Sequence, residues 1–317
     1  MLCRAIFRSH IYHATTRVSY NTTRNLDYRR RRLEVFDAEK KRQLQNISVK
    51  KVCIKVFGND GESKVLLMND GISSYFDCMR HMSRLKAERT ALVRLLNKSE
   101  DAFFSVHDRI NGDSEIELLG FNNMIYYDYV NKAYWRTCAY ILGAIIENSF
   151  RNQVHLIRPE SLDYKSGRFA YRVEIEDLNG WKASQLVNQL VFLKDDLAVL
   201  SLCISEFISR KLPFESLRVT RQVAAIIFRD NKWKIESLEE EDEELFVFKL
   251  GNHVDICDGP LINNSSQIGK FAVTKVDYEE SCLCFYGVSL PAEQKCTSYT
   301  WDLLVAASRQ SEENYGI

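Results

Sequence analysis

Tyr134-Trp135-Arg136-Thr137-Cys138-Ala139-Tyr140-Ile141-Leu142-Gly143 is the stretch that decides how the second half of this 317-residue chain is read. Tyr134, Cys138, Ile141 and, one turn on, Ile145 recur at helical spacing and share one apolar side. Arg136 and Tyr140 sit four residues apart, so they share another face, about 200 to 240° around the axis at about 100° per residue. Downstream, strand-like runs at residues 169–176, 217–220, 233–238, 245–250, 271–277 and 282–288 are interleaved with a long helical segment, 183–210, and a helix at 221–229. Strands and helices mix without regular alternation, which predicts an α+β domain.

Upstream, Val52, Ile54 and Val56 alternate with Lys51, Cys53 and Lys55, Asn59-Asp60-Gly61 supplies turn residues, and residues 63–68 return, so a β-hairpin is expected. Ser74 and Asp77 form a capping pair for a helix whose apolar side is Tyr75, Met79, Met82 and Leu85. Further strands are expected at 90–96 and 115–121. A hairpin, a helix and more strands in about 70 residues suggest a small ubiquitin-like β-grasp module, a binding unit without chemistry of its own.

The 43 basic and 43 acidic residues leave the chain formally neutral, which removes any global attraction for nucleic acid. Their distribution is uneven, because residues 1–50 hold 12 basic and 4 acidic side chains and residues 51–317 hold 31 and 39. No acidic residue precedes Asp27, while Arg4, Arg8, Arg17 and Arg24 alternate with Ile6, Phe7, Ile11, Tyr12, Ser and Thr, a composition suited to a mitochondrial presequence. The next segment carries Arg29, Arg30, Arg31, Arg32, Lys40, Lys41 and Arg42 around Leu33 and Phe36. It reads equally as a solvated helix or as an arm that turns these cations to phosphates and its apolar edge to a partner. The acidic run 239–244 reads as a solvated hairpin loop that would repel RNA. Nine scattered cysteines give no disulfide framework, and Cys282 and Cys284 lack the two-residue spacer of a zinc knuckle. No apolar run is long enough to span a bilayer, and no glycine-rich phosphate loop or dinucleotide signature occurs. The chain therefore divides into a presequence at 1–26, a basic helical arm at 27–48, the β-grasp module at 49–122, the α+β domain at 123–308 and a tail at 309–317.

Residues 134–143, then Leu212-Pro213-Phe214-Glu215 with Val219 and a helix ending near Phe228, then Val254-Asp255-Ile256-Cys257-Asp258-Gly259-Pro260-Leu261 and Tyr286-Gly287-Val288-Ser289-Leu290-Pro291 resemble the editing domain of threonyl-tRNA synthetases. The first block is similar to the small amino-terminal TGS module of those enzymes, so the resemblance covers roughly residues 49–300. It implies a cleft in which two helix histidines, a cysteine and a later histidine act on a mischarged aminoacyl ester. Arg136 and Tyr140 stand at the helix positions, Cys257 at the cysteine and Leu261 at the last histidine. Arg136 has no lone pair to accept a proton, Leu261 has no titratable group, and the phenol of Tyr140 is a poor base near neutrality. Cys257 remains without a base or metal partner, and such a thiol is chiefly a small buried hydrophobe. Only about 30 residues follow the last matching strand, far too few for an aminoacylation domain.

Phe36, Glu39, Lys40, Arg42 and Gln43 in the arm, the run 130–136 and Gly259-Pro260-Leu261 are similar to structural proteins of the mitochondrial large ribosomal subunit that share this truncated architecture. That likeness implies a non-catalytic component in the mitochondrial matrix, held by neighbouring ribosomal proteins and ribosomal RNA, with no cofactor, metal or small-molecule substrate. Its acidic body is expected to rest peripherally against proteins while the arm makes most phosphate contacts. The competing expectations are a residual aminoacyl-tRNA deacylase using Cys257 or Tyr140, and a non-catalytic tRNA-binding regulator.

Overall fold

The computed structural model describes residues 23–45, 47–58, 61–96, 102–150, 152–160, 167–176, 194–238, 244–279 and 282–309. Most of the expected presequence, the Asn59-Asp60 turn, residues 183–193 of the long helical segment, residues 239–243 of the acidic run and all of the tail after Arg309 lie outside them.

The described chain enters as helix α1 (Thr23–Gln45). Phe36 is completely buried, in a cluster with Leu217, Val219, Ile227, Phe228 and Val247, so the apolar edge of the arm closes on the chain's own second half. Arg32 is 3% exposed, and its Nη1 donates to Glu147 at 2.8 Å while its Nη2 and Nε donate to Asp230. Arg31 also reaches Asp230 and donates to the Ile227 carbonyl at 3.2 Å, and Arg29 is buried beside them. Of the arginines expected to face phosphates, Arg31 and Arg32 are thus corrected to partners of carboxylates from the following domain, and Arg29 is buried with its Nε donating to Asn25 O at 3.4 Å. Lys40 pairs with Glu215 at 2.6 Å and Arg42 with Glu39 at 2.7 Å, while Arg30 and Lys41 face outward. Asn25 fixes the start of α1, donating to Asn152 O at 2.7 Å and accepting from Val154 N at 3.1 Å.

The first block is a five-stranded mixed sheet in the order β2-β1-β5-β3-β4. Its strands are β1 (Lys51–Phe57), β2 (Ser63–Asn69), β3 (Leu92–Leu95), β4 (Ala102–Ser105) and β5 (Ser114–Leu119). The β1–β2 hairpin pairs Ile54 with Leu66, and β1 lies parallel to β5. Helix α2 (Tyr75–Met82) opens with the expected capping box of Ser74 and Asp77. It ends earlier than the apolar spacing predicts, because Ser83 accepts from Lys86 N and starts a new helix, α3 (Arg84–Arg89), leaving Leu85 exposed.

Helix α4 (Tyr127–Ser149) is the axis of the second block. It packs on a four-stranded sheet in the order β11-β12-β7-β6, built from β6 (Val154–Pro159), β7 (Phe169–Ile175), β11 (Ile268–Glu279) and β12 (Cys282–Pro291). Gly143 permits this approach, since a Cβ there would stand 2.8 Å from the Tyr171 ring. Helix α5 (Lys194–Ser209) covers the same core. A separate sheet, β10-β9-β8, consists of β8 (Phe214–Thr220), β9 (Glu244–Leu250) and β10 (His253–Ile256), with α6 (Arg221–Ile227) and α1 against it. Residues 233–238, expected as a strand, are largely helix α7 (Lys232–Ser237), because Asn231 accepts from Trp233 N and Lys234 N and caps it. A last helix, α8 (Ser298–Ala307), was not legible as a periodic segment and buries none of its residues. The α+β class is as expected, and no helix among the described residues is long and apolar enough to cross a membrane.

Side-chain amides stitch the blocks together. Gln267 donates to the Thr90 carbonyl at 2.9 Å, Asn263 donates to Ala87 O at 2.6 Å, and His107 Nε2 lies 2.7 Å from Asn263 O. The Ser216 hydroxyl donates to Asp108 across the same seam.

Removing one partner of a buried ion pair strands the others, at about 3–5 kcal/mol. Arg32→Met is therefore expected to lower the urea midpoint sharply, with Arg30→Met leaving it unchanged. Burial pushes the Glu147 carboxyl up, but Arg32 and His253 outweigh that and hold it at about 2, against an ordinary 4.5. Its stabilising contribution is thus present above pH 4.5 and is lost as pH falls towards 2. Acid titration of the wild type should show that loss, and Glu147→Gln should abolish it.

Candidate functional site

The four positions singled out by the synthetase resemblance do gather. Arg136 and Tyr140 lie on the face of α4 turned to the loop after β10, which carries Cys257 and Leu261. The arrangement is filled rather than open. Arg136 Nη1 donates to Pro260 O at 3.3 Å, and its guanidinium lies so close over the loop that a Cβ on Gly259 would come within 2.5 Å of it. Leu261 is fully buried in the main core.

Each remaining polar group is already engaged or held in its neutral form. The Tyr140 hydroxyl donates to Phe248 O at 2.8 Å, and burial, reinforced by Asp255, raises its pKa well above the ordinary value. Burial pushes the Cys257 thiol up to about 12, although the Arg136 guanidinium pulls the other way. A phenol spent on a carbonyl and a protonated thiol supply neither base nor nucleophile near neutrality. Among the described residues no group of three His, Cys, Asp or Glu side chains could hold a metal ion.

Beneath this pocket lies a polar network that sequence reasoning did not single out. His253 Nδ1 is 3.1 Å from Glu147 Oε2, which links β10 to the Arg32 cluster. Next to it, Lys234 pairs with Asp255 at 2.8 Å, and the Tyr171 hydroxyl donates to Asp255. The signal available was the placing of Glu147 and Asp255 within otherwise apolar runs, since a carboxylate is seldom buried without partners. The network is fully internal and serves to orient α1, α4, α7 and β10.

No protein-family model matches the chain. It is 27% identical over 293 residues to large ribosomal subunit protein mL39 of Drosophila melanogaster, covering 88% of this chain and 84% of the fly protein. This chain resembles a ribosomal protein. It is also 23% identical over 299 residues to probable threonine–tRNA ligase 1, cytoplasmic, of Dictyostelium discoideum, and 26% identical over 221 residues to threonine–tRNA ligase 2, cytoplasmic, of Homo sapiens. Those matches cover 91% and 66% of this chain but only 38% and 24% of the ligases.

Cys257 should behave as a buried apolar group. In the native protein at pH 7.5, Ellman's reagent is expected to modify exposed Cys53 rapidly and Cys257 at least about a hundredfold more slowly, read by peptide mapping. Comparable rates at the two cysteines would overturn the description of the pocket.

Proposed function

We propose that this chain is a structural, non-catalytic component of the mitochondrial large ribosomal subunit and supports translation by docking to its neighbours. The observation that carries the reading is the likeness to mL39, which extends over most of both chains, whereas the ligase matches leave most of each ligase uncovered. The absence of chemistry is supported by the pocket, where a guanidinium, an aliphatic side chain and an engaged phenol occupy the positions that would have to move protons.

The finer assignments belong to the same reading. Residues 49–122 are read as a TGS-like β-grasp module, supported by the parallel β1–β5 pair flanked by antiparallel neighbours. Residues 123–308 are read as a degenerate editing-like domain. The matrix location and the presequence rest on the composition of the leading segment. The bonds of Asn25 to the backbone at Asn152 and Val154 favour processing before it over processing after residue 26. Of the seven arm cations expected at RNA, Arg30 and Lys41 point outward, Lys40 and Arg42 are held by glutamates, and Arg29, Arg31 and Arg32 serve the interior. Protein neighbours therefore supply most of the docking, and RNA contact by the arm is limited.

Sucrose-gradient sedimentation of matrix extract in high salt tests the placement: the chain is expected to remain with large subunits, and a loose tRNA-binding regulator would wash off. Purified protein should leave mischarged threonine tRNA intact, and hydrolysis that vanishes in Cys257→Ala would instead establish the deacylase. N-terminal sequencing of the mature chain should begin at or before Asn25.

A further inference from the structure

A cleft of about 580 Å³ opens where α1, the first sheet and the paired strands β8 and β9 meet, and none of Arg136, Tyr140, Cys257 and Leu261 lines it. Arg109, Arg42 and Arg218 stand on its wall with the partly buried rings of Phe104 and Phe246. Arg109 is the unusual member: its Nη2 is buried and has no hydrogen-bond partner among the described residues. Burial lowers its pKa from the ordinary value, with no carboxylate offsetting the effect. A buried guanidinium N–H without an acceptor, set on the wall of a cleft, is a donor free to receive an incoming acceptor, since buried polar atoms are normally satisfied.

The charge balance of the wall says what that group is. Asp108 is the only carboxylate among the lining residues, and its oxygens accept from the Ser216 hydroxyl and from Ser105 N at 2.9 Å. Of the three guanidinium groups on the wall, Arg109 is the one with no carboxylate paired to it among the described residues. Arg42 is braced by Glu39, and Arg218 by Glu244 at 3.2 Å, with its guanidinium 5.5 Å from the Phe246 ring centroid. Guanidinium forks match the oxygens of a phosphate, and aromatic faces accept a nucleobase. The volume suits one such unit.

We propose that this cleft binds a nucleoside phosphate, Arg109 donating to the phosphate while Phe246 and Phe104 flank the base. The nucleotide is either free or a splayed residue of an RNA strand. The inference goes beyond the ribosomal reading and stands whether or not the chain sediments with large subunits.

Calorimetry on the full chain with uridine monophosphate and with inorganic phosphate, and fluorescence anisotropy with a labelled decauridylate, test it. At least one uridine-bearing probe should bind more tightly than inorganic phosphate. Arg109→Met should weaken that binding about tenfold or more, and Asp108→Asn should tighten it. Arg84→Met, on exposed α3, should leave it unchanged. Melting curves establish that each variant is folded, and Phe246→Leu carries the test should Arg109→Met not fold. Binding of the monophosphate alone identifies a free nucleotide, and binding of the decauridylate alone identifies a strand. If neither uridine probe outbinds inorganic phosphate, or if the folded variants at Arg109 and Phe246 bind as the wild type does, the proposal is overturned.

Discussion

A guanidinium buried between two carboxylates organises this molecule. Arg32 comes from the entry helix, Glu147 from the end of α4 and Asp230 from the turn after α6, so one side chain ties three distant parts of the chain. Such a cluster adds little net stability over an apolar replacement, because desolvation opposes the Coulomb attraction. Its effect is directional. A guanidinium fork satisfies two carboxylates only in one orientation, and a helix placed a turn out of register would leave all three charges without compensation. The apolar contribution of Phe36 fixes how closely α1 sits, and the ionic cluster fixes which way it faces.

The same economy governs the pocket between α4 and the loop after β10. The fold brings Arg136, Tyr140, Cys257 and Leu261 together, and their side chains complete the packing of that space. Arg136 lies on the backbone of Gly259 and Pro260, Tyr140 is tied to the carbonyl of β9, and Leu261 joins the core. With burial holding the Cys257 thiol near 12, the site is packed for rigidity and offers no thiolate near neutrality.

Much of the architecture was legible in the sequence, where a local pattern determines the outcome. The alternation of Val52, Ile54 and Val56, the Ser74 and Asp77 capping pair and the apolar stripe of α4 act over a few residues, and all appear as expected. The misread parts depend on distant partners or on a single cap. Four consecutive arginines look like a solvated surface until Glu147 and Asp230, 115 and 198 residues away from Arg32, are brought beside them. Trp233 and Ile235 alternate as in a strand, yet Asn231 turns the segment into a helix. At the site, the lack of a base at Arg136 and Leu261 could be read directly from the sequence. The closing of the pocket by Gly259 and Pro260 could not, because it depends on how the loop folds back over α4.

The seam between the two blocks governs how the molecule can move. Gln267, Asn263, His107 and Ser216 cross it with hydrogen bonds that are partly or wholly shielded from water, so pivoting one block would strand amide donors and carbonyls together. The two halves therefore keep a set angle and separation, so a displacement of one is carried whole to the other. Lengthening the loops that form the seam would let the halves shift against each other with each block's own fold intact.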